Sequence, residues 1–264
     1  MNERDLRKKP LIISVVGKGG VGKTVITTLL ARAISQKYDY KLLLIDADPT
    51  HPHLSNMVKL VPEKSLEEIR LNVVRDVSKK GKDTKELAEE IDFSVYDSMV
   101  ESKDFCLFSI GQPEGPGCFC PSNTLLRKVI ESISGDFDIV LIDCEAGLEQ
   151  INRMVIKSVD ILLIVTDISM RSIETADSIR KRAKKFTNYK ELGVIINKVK
   201  GNIDIIINKL NLLQLPIYTQ IPEDQKIMEY DLHGTPLIDL PKESPGQLII
   251  NKLAKKIITN NLKG

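Results

Sequence analysis

Residues 11–24 read LIISVVGKGGVGKT, and this stretch determines the fold expected around it. A mostly apolar run at 11–16 predicts a buried strand, a glycine-rich loop follows at 17–24, and residues 25–31 begin a helix-forming run. Glycines let successive backbone N–H groups surround phosphate oxygens, and the start of a helix contributes its positive end. The pattern therefore predicts a site for a nucleoside triphosphate.

Two side chains of this loop have a defined chemistry in such a site. Lys23 is expected to reach the β- and γ-phosphates, and the Thr24 hydroxyl is expected to ligate Mg²⁺. The other nucleotide contacts are expected from the loop backbone, at Gly17, Gly19, Gly20, Val21, Gly22 and Val25.

Strand-like and helix-like runs alternate along all 264 residues, which predicts an α/β fold with a doubly wound, mainly parallel sheet and helices on both faces. Strands are predicted at 11–16, 41–45, 105–109, 138–142, 160–165, 192–196 and 216–220. Helices are predicted at 24–37, 122–134, 172–186, 203–211 and 247–259. Residues 60–104 mix charge with weak helical periodicity. Without a repeat or a linker, residues 1–264 are interpreted as a single domain that contains this phosphate loop (P-loop).

Composition argues against several classes of partner. A net charge of +2 gives no reason to expect nucleic acid or an acidic membrane surface. The apolar runs have the length of strands and fall far short of the roughly 20 residues that span a bilayer. Residues 1–5 lack the apolar segment of a signal peptide, so a cytoplasmic protein with reduced cysteines is expected.

Carboxylates follow two of the predicted strands. Asp46 and Asp48 come after the second strand, and Asp143 ends the strand at 138–142. Open α/β sheets bind ligands outside the carboxyl ends of their strands, and phosphoryl transfer needs positioned charge more than a strong base. These acids are therefore expected to complete the triphosphate site.

The early lysine, Lys18, makes the loop resemble the deviant Walker A motif of the MinD, ParA and nitrogenase iron protein family. The resemblance implies an ATP-hydrolysing homodimer in which Lys18 crosses to the nucleotide of the other subunit. It implies that Asp46 serves the hydration shell of Mg²⁺ and that Asp48 orients the attacking water. It also implies that Asp143 is the Walker B acid, which holds Mg²⁺ through water.

The same resemblance extends to later segments. Gly147 resembles the switch II glycine that senses the γ-phosphate. Asn197 ends a predicted strand as in relatives where that side chain reads adenine, and Pro222 and Glu223 resemble the loop that covers the base.

A Gly/Pro-rich loop carries Cys118 and Cys120, which have no role in a generic ATPase. Two thiolates are half of the four ligands that a structural Zn²⁺ takes, and a twofold dimer would supply the other two. Soft thiolates suit Zn²⁺, Ni²⁺, Cu⁺ or an iron–sulfur cluster. The alternative is a pair of reduced cysteines without a ligand.

The Gly-Cys-x-Cys sequence, followed by Asn123 and a Leu-rich run, resembles the CooC-type ATPases that assist nickel insertion into carbon monoxide dehydrogenase. This resemblance implies Ni²⁺ or Zn²⁺ at the dimer interface and a client metalloenzyme, carbon monoxide dehydrogenase or acetyl-CoA synthase.

Two alternatives stay open. One is a nitrogenase iron protein-like reductase with a bridging 4Fe-4S cluster. In that family a second cysteine lies several residues beyond the Walker B acid, whereas here Cys144 directly follows Asp143. The other is a MinD/ParA-like positioning ATPase, suggested by basic residues at 180–185 and an apolar stripe at 248–258. His51 and His53 are candidate metal ligands on a switch loop, whereas Cys106 and Cys144 are expected in the core.

Overall fold

One eight-stranded sheet forms the centre of the protein, whose computed structural model describes residues 9–48, 53–69, 71–72, 93–111, 133–145 and 158–262. The strands are β1 (Leu11–Gly17), β2 (Leu42–Ala47), β3 (Val100–Glu101), β4 (Cys106–Ser109), β5 (Ile139–Cys144), β6 (Ser158–Thr166), β7 (Asn188–Val199) and β8 (Ile217–Pro222). Their order is β3-β4-β2-β5-β1-β6-β7-β8, and only the β3–β4 pair among the described strands is antiparallel.

Helices cover both faces of the sheet. They are α1 (Lys23–Ser35), α2 (His53–Val58), α3 (Met170–Phe186), α4 (Asp204–Leu212), α5 (Gln225–Leu232) and α6 (Pro245–Asn261), with a 3-10 turn at Leu237–Asp239. Further helical residues are found at 66–69, 71–72, 93–98 and 133–134. This confirms the predicted fold class.

Successive residues of each central strand are buried on opposite faces. On β2, Leu42 and Leu44 belong to the core cluster that includes residues of α1 and α6, whereas Leu43 and Ile45 belong to the cluster that includes residues of α3 and α4. Because both faces are covered, these strands are apolar without polar alternation, as parallel strands generally are. The first polar residue on the α1 face of β2 is Asp46 at its carboxyl end, which places that carboxylate beside the phosphate loop.

The structure corrects several predicted boundaries. Strand β5 begins at Ile139 and continues to Cys144, so Asp143 lies within it and Asp138 lies before it. The Asp138 carboxylate instead accepts a hydrogen bond from the Lys41 amide, at 2.9 Å. Helices α2 and α5 and the edge strand β3 were not predicted. The predicted helix 122–134 lies outside the described residues except for 133 and 134, which are helical, and the single-domain interpretation stays a prediction.

The last helix packs on the sheet. Leu253, Ile257 and Ile258 of its apolar stripe are buried in the core that α1 also covers, while Leu248 is exposed. On α3, the basic residues 181, 182, 184 and 185 face solvent. Within the described part of the chain, no helix combines the length and hydropathy that crossing a membrane requires.

Candidate nucleotide-binding site

The phosphate loop fits tightly against its neighbours, and two of its glycines are sterically required. A Cβ at Gly17 would lie 2.3 Å from the carbonyl oxygen of Val165 on β6. Gly22 has a φ of +95°, and a Cβ there would lie 2.5 Å from Nδ2 of Asn197. Val21 is fully buried and anchors the loop in the core. Side chains at these glycines would therefore displace the loop.

The first turn of α1 is open to an anion. Three other helices begin with a side-chain cap, since Ser169, Asp224 and Ser244 accept hydrogen bonds from amides of α3, α5 and α6. At α1 the capping position is Gly22, which makes no side-chain hydrogen bond. Uncapped amides at a helix start can bind phosphate, because they are donors without an intrahelical partner.

The two loop lysines lie together. Nζ of Lys23 is 3.4 Å from the carbonyl oxygen of Lys18, so the Lys23 side chain folds back over the loop. Lys23 lines the cavity described below together with Thr24. Lys18 is partly buried and is not among the described residues that line this cavity.

Asp46 and Asp143 lie side by side at the carboxyl edge of the sheet. They are register partners on β2 and β5, and both lie on the face covered by α1. The Asp46 carboxylate accepts hydrogen bonds from the amides of Asp48 and Leu54, at 3.1 and 3.2 Å. Asp143 Oδ1 accepts one from the Thr27 hydroxyl of α1, at 3.1 Å. The loop, α1 and two strands thus converge on one carboxylate pair.

Burial changes the acidity of this pair. Burial, and after it the charge of Asp143, raises the pKa of Asp46 from 3.8 to about 7. Burial also raises the pKa of Asp143 to about 6, against the hydrogen bond from Thr24 and the charge of Lys23. Two buried carboxylates side by side favour a cation between them. With the Thr24 hydroxyl they form a donor set that fits Mg²⁺, which prefers oxygen ligands and retained waters.

Replacing Asp143 with asparagine should stabilise the nucleotide-free protein and abolish turnover. The folded carboxyl keeps its proton up to about pH 6, so its contribution to stability is complete below pH 3.8 and is lost as the pH rises through 6. The loss corresponds to about 3 kcal/mol at pH 8. Asparagine does not ionise and so avoids this loss, since the Thr24 and Thr27 hydroxyls can donate hydrogen bonds to its amide oxygen or accept them from its amide nitrogen.

Urea unfolding at pH 4 and pH 8, without Mg²⁺ or nucleotide, measures this effect. The free energy of unfolding of the variant should exceed that of the parent by about 2–3 kcal/mol at pH 8 and by much less at pH 4. An equal difference at the two pH values would contradict the assigned acidity.

An open cavity of about 1190 Å³ lies over the loop. Its floor includes Lys23 and Thr24, and Asp48 and His53 line its switch side. Asn197, Pro222 and Glu223 line the opposite wall, as the sequence-based assignment requires, although their proposed contacts with a nucleobase stay a proposal. The structure thus brings the predicted phosphate, switch and base segments around one space.

Sequence analysis missed the apolar part of this wall. Helix α5 contributes Ile227, Met228 and Leu232, and α2 contributes Met57. A signal for α5 was present, because Asp224 caps it by accepting hydrogen bonds from the amides of Lys226 and Ile227. Glu145, which follows β5 directly, also lines the cavity and was not predicted.

Four predicted residues lie outside the described part of the chain: Gly147, Cys118, Cys120 and His51. The other two cysteines are described. Cys144 is buried, with its Sγ 3.2 Å from the Ser14 hydroxyl, and burial raises the pKa of its thiol to about 12. Cys106 is partly buried on β4. Both fit the core positions expected for them.

The chain is similar to known proteins in sequence and in fold. Residues 12–237 match the family described as the CobQ/CobB/MinD/ParA nucleotide binding domain. The chain is 37% identical over 257 residues to an uncharacterized ATP-binding protein of Methanocaldococcus jannaschii, covering 94% of this chain and 98% of the relative. It is 30% identical over 240 residues to the carbon monoxide dehydrogenase accessory protein CooC of Rhodospirillum rubrum, covering 86% and 89%.

Among solved structures, the cell division ATPase MinD of Pyrococcus furiosus superposes with a TM-score of 0.72 at 25% identity, covering 95% of this chain and 99% of that one. The family match spans the loop, the paired carboxylates and the cavity wall formed by β7 and β8. The chain therefore belongs to the CobQ/CobB/MinD/ParA nucleotide-binding family and is an ATP-binding P-loop ATPase.

Proposed function

We propose that this ATPase is a homodimeric maturation factor that couples its nucleotide state to the handling of a metal ion, nickel in particular, for a client such as carbon monoxide dehydrogenase or acetyl-CoA synthase. The observation that carries the proposal is the pair Cys118 and Cys120. The 30% identity to CooC, whose name assigns it to carbon monoxide dehydrogenase, supports it.

In this proposal the ATP site works through the residues described above. Lys23 and the amides at the start of α1 bind the phosphates, while Thr24, Asp46 and Asp143 hold Mg²⁺ and its waters. Asp48, whose amide is bonded to the Asp46 carboxylate, orients the attacking water. This bond supports a linked response of the switch loop to Mg²⁺, because Asp46 lies at the carboxyl end of β2 and Asp48 directly follows that strand.

The metal is cargo in this account. Each chain supplies two thiolates, and a twofold axis through the cysteine loops would bring four together for Zn²⁺ or Ni²⁺. ATP would join the subunits, with Lys18 of each chain reaching the nucleotide of the other, and hydrolysis would loosen them. Metal would then be held in one nucleotide state and released toward the client in the other.

Two other functions compete with this one. A positioning ATPase is favoured by the MinD fold likeness, but the apolar stripe of α6 is mostly buried and so is not available to a membrane. A reductase-like protein would hold a 4Fe-4S cluster with Cys118 and Cys120 of both chains. The cysteine experiment distinguishes all three.

Replacing Cys118 and Cys120 together with serine should remove high-affinity metal binding and leave ATP hydrolysis within about twofold of the parent. Hydroxyls are poor ligands for soft metals, and the phosphate loop lies on another segment. Metal content after anaerobic purification, ATPase rate and activation of an apo client measure the three properties. The double variant should fail only in metal content and client activation.

Cys106→Ser is the matched control, because it makes the same change at a partly buried thiol on β4. It should keep metal and client activation. A double variant that retains the metal of the parent would contradict the assignment, and His51 and His53 would become the next ligands to test.

A further inference from the structure

Strand β7 carries an irregularity where it meets the phosphate loop. Ile196 pairs with Gln220 of β8 and the next register pair is Val199 with Pro222, so β7 has one extra residue over this interval. Within it, Lys198 has a φ of +55°, which is unusual for a residue with a side chain. Bulges often redirect side chains next to functional sites, and unusual backbone persists where the surroundings hold it.

The redirected side chains contact two successive carbonyl groups of the loop. Nδ2 of Asn197 donates to the Val21 carbonyl at 2.9 Å, and Nζ of Lys198 donates to the Gly20 carbonyl at 3.0 Å. Asn197 is buried and lies against Gly22, Lys198 is exposed, and both residues line the cavity. The bulge therefore reaches the loop from the opposite side of the cavity to the switch segment.

A carbonyl held in place fixes the amide that follows it, because the peptide group is planar. Holding the Gly20 oxygen orients the N–H of Val21, and holding the Val21 oxygen orients the N–H of Gly22. Loop amides of this kind are the donors that bind phosphate. Gly20 and Gly22 flank Val21 and leave these peptide groups free to rotate. Hydrogen bonds from another segment therefore restrict the loop here, which they would not do in a segment that is already rigid.

We propose that the bulge at Asn197 and Lys198 is a latch that pre-organises the phosphate loop, and that Lys198 is a positioning residue for the phosphates. Lys198 acts through the Gly20 carbonyl and does not need to touch the nucleotide. The inference rests on ATP binding alone. Its failure would leave the metal proposal intact, and failure of the metal proposal would leave the latch intact.

Replacing Lys198 with asparagine tests the latch, since asparagine tolerates positive φ but is too short to repeat the bond to Gly20. The affinities for ATP and ADP should both fall by about tenfold. This is the lower end of the range for losing a hydrogen bond from a charged group, because the Lys198 side chain is exposed. The hydrolysis rate at saturating ATP should stay within about twofold of the parent, because the lost interaction stabilises the bound ground state and the transition state equally. Lys198→Arg should restore affinity.

Two further variants separate the latch from simpler effects. Lys59→Asn makes the same change at an exposed lysine with a φ of +60°, outside the cavity lining, and should bind ATP normally. Lys198→Gly removes the backbone strain as well as the side chain and should lose affinity like Lys198→Asn. Urea unfolding of the nucleotide-free variants should stay within about 1 kcal/mol of the parent, because backbone strain and single exposed contacts are the only stability contributions that change.

Three results would overturn the proposal. A loss confined to ATP would assign Lys198 to a direct contact with the γ-phosphate. Normal ATP affinity in Lys198→Gly would show that the backbone alone matters. Equal losses in Lys59→Asn and Lys198→Asn would assign the effect to net charge.

Discussion

Lys23→Ala should lower the affinity for ATP by about 100-fold and the turnover rate by about 100- to 1000-fold. The Lys23 ammonium lies over the loop, 3.4 Å from the Lys18 carbonyl, and lines the cavity in which the phosphates would bind. Removing it leaves the terminal phosphates without their main positive charge in both the ground state and the transition state. Calorimetric titration with ATP and a phosphate-release assay measure the two losses.

Asp48→Asn serves as the contrasting variant. It keeps Lys23 and the loop, so it should bind ATP normally, yet it should hydrolyse ATP about 100-fold more slowly because the attacking water is no longer oriented by a carboxylate. Near-normal hydrolysis by Asp48→Asn would remove this residue from the mechanism. Normal ATP binding by Lys23→Ala would contradict the phosphate site itself.

Lys18→Ala should keep ATP affinity within about threefold of the parent but lose ATP-dependent dimerisation and about 100-fold in turnover. Lys18 is not among the described residues lining the cavity of its own chain, and the proposal assigns it to a nucleotide in a partner chain. A donor that acts only across the interface contributes after the subunits meet, which separates binding from turnover. Light scattering with a non-hydrolysable ATP analogue measures the dimer.

Mixing experiments make this test sharper. Lys18→Ala mixed with Lys23→Ala should regain part of the activity, since a mixed dimer contains one chain that binds ATP and receives an intact Lys18 from the other. A Lys18→Ala protein that dimerises and turns over like the parent would show that the lysine has no role across the interface.

Local chemistry explains why much of the fold and site could be predicted. The glycines at 17, 19, 20 and 22 are typical of a phosphate loop, and short apolar runs such as 42–45 are typical of central strands in a sheet that is covered on both faces. The position of Asp46 and Asp143 at strand ends predicted that they would meet, and the register of β2 and β5 makes them direct neighbours.

The remaining features depend on contacts between distant segments. Lys198 adopts a positive φ without being glycine or asparagine, and its ammonium donates to the carbonyl of Gly20, which lies 178 residues away. Asp224, which follows the predicted base-covering residues Pro222 and Glu223, accepts hydrogen bonds from the Ser244 hydroxyl and the Gly246 amide and so joins α5 to α6. Such long-range partners leave no periodic signal in the sequence.

The central claim, that nucleotide-driven dimerisation handles metal through Cys118 and Cys120, is tested most directly by the metal content of the dimer. The protein should be purified under reducing, anaerobic conditions, and its metals counted in the monomer and in the dimer formed with a non-hydrolysable ATP analogue. We predict about one Ni²⁺ or Zn²⁺ per dimer, held by two thiolates from each chain, and none at high affinity in the monomer. Four irons with sulfide per dimer, or no metal in either state, would contradict the account.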